Sequence, residues 1–361
     1  MLLLALLVGQ IAAVPRINLS VSRFAAQYGA IRSMEESNED PKTPGLKAAV
    51  DDLKALEQSF PNQIKTRSGV VVRAGDGGQA KVSALYWRTL DALTFSASSG
   101  DALSDIPTLM PKIGGELDAS AAVKAIQKAL DESRSEFEAK LWPEGQKEVE
   151  ACIDSFERIP EAHRDSALRF ILQTAGIATP PKRIDIRLVP RMAGPEGMTV
   201  RTSTGLLVVI GLGKFRGSDF AEVVLHEATH VFDTAAGSDS LFGKLRVALK
   251  AGNRSAFELE EVPHTVMFIL AAEAVRRFID PAHKDVGASF GIYSRGLEPI
   301  RRVEQPILME LAANRITADD AVRQIVSGLG SLDASIDSRG GGILQTDAPM
   351  EVLSTPCRRT F

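Results

Sequence analysis

Five of the 361 residues are histidine, and two of them stand in His226-Glu227-Ala228-Thr229-His230. Positions i and i+4 of a helix lie one above the other on one face. The spacing therefore points both imidazoles at one metal ion, with the Glu227 carboxylate beside its open position. The chemistry of such a set is metal-assisted hydrolysis: the histidines hold the ion and Glu227 moves a proton. At this histidine and glutamate content the pattern is expected by chance roughly 0.005 times in a chain of this length.

The elements that must position the motif are legible around it. Residues 183–189 alternate polar and apolar side chains, which is strand periodicity. Residues 198–202 and 206–211 supply two further strands, the last more apolar. Gly217-Ser218-Asp219 then opens the motif helix, with Ser218 as its N-cap and with Asp219 and Glu222 near its positive end. A small sheet followed by such a helix resembles the entry to a zincin catalytic domain, which implies an edge strand that holds an extended peptide by main-chain pairing, with 206–211 as the candidate.

A third metal ligand must come from outside the motif. The continuation H-x-x-G-x-x-H is absent, because Asp233 occupies the glycine position and Ala236 that of the last histidine. A helix over residues 264–279 carries two competitors, Glu273 among apolar neighbours and His264 at its start. They are nine positions apart, half a turn out of phase, so both on one ion is not expected. Glu273 is the preferred ligand, with an ion pair to Arg277 as its simpler role. His264 is the rival ligand or a donor to the reacting oxyanion, and Tyr293 is a second such donor. The acidic run Glu258, Glu260 and Glu261 reads as solvated charge ahead of the helix.

The rest of the chain is mostly helical by periodicity, at residues 46–60, 80–95, 119–141, 147–159 and 161–175, and again at 297–313 and 318–328. Residues 34–41 are acidic and end in proline, reading as a surface loop or linker. The expected class is α+β, predominantly helical, divided into residues 1–14, 15–179, 180–330 and 331–361. The first is an export signal, because an apolar run is followed by Ala12 and Ala13, although no basic residue precedes it. The second is a helical region, the third a catalytic domain with a small sheet ahead of the motif helix, and the last a disordered tail. A periplasmic or secreted location follows, with no stretch long enough to span a membrane. The formal charge of -4 and the low aromatic content argue against nucleic-acid binding. Two cysteines, Cys152 and Cys357, make no disulfide framework.

Over about residues 180–330 the chain resembles the zincin metallopeptidases, more narrowly gluzincin-like proteins, and a group of largely uncharacterised exported bacterial proteins. The resemblance rests on His226–His230 and on the helix from His264 to Glu273. It implies Zn²⁺ held by His226, His230 and Glu273, Glu227 as general base, and a peptide or protein as substrate. Two departures from the gluzincin pattern stand out: Ala272 replaces the usual asparagine before the glutamate, and His230 and Glu273 lie 43 positions apart. A non-catalytic exported zinc-binding or interaction protein is the alternative reading.

Overall fold

The computed structural model describes residues 14–65, 71–73, 79–97, 103, 117–194, 196–202 and 205–337. Of the described residues 67% are helical, with a small four-stranded mixed sheet, the α+β class expected. The signal segment, apart from its last residue, and Cys357 lie outside the described residues. No described helix is long and apolar enough to cross a membrane.

The chain forms two compact units, each drawn from separated segments. One takes Leu19–Ala151 and Ile186–Lys214. Its helices are α1 (Arg23–Glu36), α2 (Pro44–Gln58), α3 (Gln79–Ser96) and α4 (Ala119–Glu136), with α1 packed on α2 and α4. The four-stranded sheet lies largely here: β1 (Arg16–Val21), β4 (Arg183–Val189), β5 (Gly197–Thr202) and β6 (Gly205–Gly211), while β2 (Gln63–Lys65) and β3 (Val71–Arg73) form a separate hairpin. The order is β1-β4-β6-β5, and β5 pairs antiparallel with β6 from Gly197↔Ile210 to Thr202↔Gly205. Strand β6 is thus interior. The expectation that residues 206–211 form an open edge is corrected, because both sides of β6 are already hydrogen-bonded.

Three local readings also change. Residues 34–36 are not loop but the end of α1, where Met34 and Glu35 are buried and Glu35 pairs with Arg32. Pro143 does not separate two helices. A π-helical turn at Phe137–Leu141 joins α4 to α5 (Trp142–Glu157), and such a wider turn re-routes the backbone bonds that a proline cannot make. The expected tail is helical as far as Asp337, the end of α12 (Ala318–Asp337).

The other unit takes Cys152–Asp185 and Phe215–Gly342 with the chain up to Asn18. It contains α6 (Glu161–Thr174), α7 (Gly217–Ala235), α8 (Leu241–Ala251), α9 (Ala256–Phe278), α10 (Val286–Ser289), α11 (Glu298–Ala312) and α12. Helix α9 is its centre and packs on α6, α7, α8 and α11. Val262, Val266, Met267, Ile269, Leu270, Ala271, Ala274 and Val275 of α9 are all buried, as a helix surrounded by others requires. It begins eight residues ahead of the expected start. Ser255 accepts from the Glu258 N–H while the Glu258 carboxylate accepts from the Ser255 N–H at 2.9 Å, a reciprocal cap that starts the helix there.

Helix α11 buries one group that opposes folding. Glu304 is 0% exposed and neither carboxylate oxygen has a partner among the described residues. Burial holds its pKa well above the usual carboxylate range. Between the ordinary value and the raised one, the folded chain keeps a proton that the unfolded chain has released. Stability should therefore fall as pH rises through that window. Urea unfolding should show this slope in the wild type and a flatter one in Glu304→Gln. Glu304→Met should be more stable at pH 8 by about 1–3 kcal/mol.

Candidate metal centre

Helix α7 starts at Gly217, whose φ of 55° is left-handed backbone that favours glycine. Arg216 is the cap and its side chain makes no capping bond, so Ser218 lies inside the first turn rather than capping it. Phe220, Val224, Leu225, Val231 and Phe232 are buried. Glu222, His226 and His230 follow one another at one-turn intervals along a single stripe.

Helix α9 supplies the rest. His226, His230 and His264 each present one ring nitrogen, and the three nitrogens lie within 4.8 Å of one another. His226 Nε2 is 3.2 Å from His230 Nε2 and 3.2 Å from His264 Nε2. Four ligands at about 2.0–2.1 Å in a tetrahedral shell stand about 3.3 Å apart. Two of the three separations match that spacing, and the three histidines are close enough to hold a metal ion. His226 Nε2 has either one proton or one in-plane lone pair, so it cannot make two well-aligned hydrogen bonds to both neighbours, whereas three lone pairs can converge on one cation. Burial holds the His226 pKa well below its ordinary value, and the nearby His230 and His264 add to this. A neutral ring keeps its lone pair for a metal.

Glu227 is 6% exposed and its Oε2 has no hydrogen-bond partner among the described residues. Its Oε1 lies 4.0 Å from His226 Nε2. Burial pushes its pKa up to about 8, a shift that a cation at the histidines would oppose. Phe268 lies against the His226 ring, with centroids 3.9 Å apart and planes 25° apart. His226 Nδ1 is buried without a hydrogen-bond partner among the described residues, so packing by Phe268 helps to orient that ring.

His264 thus stands where the third ligand was expected to be Glu273. The Glu273 carboxylate accepts from Arg276 at 2.9 and 3.1 Å and from Arg277 at 2.7 Å. Half a turn out of phase with His264, it meets its own helix's guanidiniums rather than the histidines. Tyr293 is buried and its hydroxyl donates to Asp285 Oδ2 at 3.0 Å, so its proton is already committed.

Sequence reading missed the pairing of Glu222. The residue is buried, and its Oε2 accepts from His283 and from the Val286 N–H at 3.0 Å. Asp219 Oδ1 is 3.7 Å from His283 Nδ1. This contact ties the motif helix to the segment that enters α10. A glutamate one turn ahead of the first histidine was the only sequence signal. Its pKa is raised to about 7, mainly by burial. Removing the imidazole in His283→Ala leaves Glu222 desolvated, which should cost roughly 1–3 kcal/mol of stability measured by urea unfolding.

No family model, curated protein or solved structure matches the chain.

Proposed function

We propose that the chain is a zinc-dependent hydrolase of peptide or related amide bonds. His226, His230 and His264 hold the metal and Glu227 is the general base. The observation that carries this reading is the meeting of three imidazole nitrogens beside a buried, partnerless carboxylate oxygen.

An all-imidazole set suits zinc and leaves a fourth position for water or substrate. When bound, zinc supplies a polarising charge for a carbonyl oxygen and a water acidified to near neutrality. Glu227 accepts the proton of the attacking water and passes it to the leaving amine. Its burial makes it a stronger base than a surface glutamate, and Phe268 on one side of His226 helps to keep bulk water out. His264 acts in this proposal as a ligand rather than as the oxyanion donor, and Glu273 has no part in it. Tyr293 would have to release Asp285 before it could donate to an oxyanion.

This is a zincin-like reading in which histidine from the next long helix replaces the gluzincin glutamate. Export to an extracytoplasmic space belongs to the same proposal, through the apolar N-terminal run Leu2–Val8.

Purified protein should carry close to one equivalent of zinc and cleave members of a peptide library. Treatment with 1,10-phenanthroline should abolish cleavage, and added zinc should restore it. A protein without zinc that also fails to take it up sinks the site. One that holds zinc yet cleaves nothing is a binding protein.

A further inference from the structure

The acidic run Glu258, Glu260 and Glu261 divides into three different environments. Glu258 is spent on the Ser255 cap and on Arg254, which donates to it at 3.2 Å. Glu260 is exposed. Glu261 turns the other way: its Oε2 is 3.3 Å from His264 Nδ1, one helical turn further on. The Glu261 side chain is 18% exposed and that of His264 is 32% exposed, so water competes only partly for this contact.

We propose that Glu261 is the positioning residue for His264, fixing which nitrogen the ring offers to the cluster; this rests on the reading of the three histidines as metal ligands. A neutral imidazole carries one N–H, and the carboxylate accepts it at Nδ1. The lone pair is then left on Nε2, the atom that faces His226 Nε2 at 3.2 Å. A carboxylate behind a ligating histidine also raises the ligand's basicity. With Glu227 on the other helix, Glu261 gives the site two carboxylates to balance a divalent charge. The two ligands are oriented by different means. Phe268 of α9 packs against the ring of His226, whose Nδ1 has no hydrogen-bond partner among the described residues, whereas His264 also has a carboxylate behind its ring.

The test is zinc affinity of the full chain, read by competition with a chromogenic chelator and independent of any peptide cleavage. Glu261→Ala should bind zinc roughly 10–100-fold more weakly than wild type. Glu261→Gln, whose amide oxygen still accepts the Nδ1–H, should recover part of that loss. Glu260→Ala should bind as wild type does, and Co²⁺ loaded into Glu261→Ala should show an altered visible spectrum. Thermal unfolding of each metal-free variant checks that the fold survives, and Glu261→Gln carries the comparison should Glu261→Ala not fold. A folded Glu261→Ala that binds zinc as wild type does overturns the positioning role and leaves the metal site standing; should Glu261→Ala not fold, wild-type zinc affinity in Glu261→Gln overturns the part assigned to the carboxylate. A wild-type chain that binds no zinc overturns both.

Discussion

Glu227→Gln should retain zinc and lose peptide hydrolysis by about 10²–10⁴-fold, the range that a positioned general base supplies. Glutamine keeps the size and one acceptor oxygen of the side chain but cannot take up a proton at neutral pH. Glu227 contacts the histidines only at the edge, with 4.0 Å between Oε1 and His226 Nε2, so its replacement should leave the ligand set in place. Burial also makes the substitution easy to tolerate, because a neutral amide is cheaper to desolvate than a carboxylate. The measurements are zinc content, turnover of a peptide cleaved by wild type, and urea stability. Full activity in Glu227→Gln would remove the glutamate from the mechanism. Loss of zinc would show that the residue supports the metal rather than the proton transfer.

His264→Ala and Glu273→Ala should behave oppositely in metal binding. Removing His264 takes away one of three converging nitrogens, and zinc affinity should fall by more than the roughly 10–100-fold typical of an outer partner. Removing Glu273 leaves Arg276 and Arg277 without a carboxylate on the far side of α9, and zinc affinity should stay at the wild-type level. Titrating each variant with zinc against a competing chelator separates the two. Equal loss in both, or retention in His264→Ala, would contradict the three-histidine centre.

The sequence and the structure agree where spacing along one element decides the outcome. His226 and His230 share a face because four residues make about one turn, and residues 183–189 alternate because a strand does. The out-of-phase argument for Glu273 and His264 is of the same kind: it says that one of them is excluded. Its limit is that phase does not reveal which face of α9 turns towards α7.

Other errors come from competition that a linear reading does not weigh. The acidic residues before His264 suggested solvated charge, yet Ser255 and Glu258 cap a helix that carries Pro263 within it. Glu35 was read as part of a surface loop, whereas Arg32 offers it a buried partner. Strand β6 was read as an edge because its pairing on both sides is a property of the sheet and not of its residues.

By itself, then, the sequence determined the motif, the helix that bears it, the strands ahead of it and a predominantly helical α+β class. These follow from the spacing of the motif and from periodicities of 2 and 3.6 residues, all local. Only the tertiary structure decided that His264, and not Glu273, joins His226 and His230. That choice depends on the rotation of α9 against α7, set by burial of its apolar residues and by the arginine pair that holds Glu273 on the opposite face.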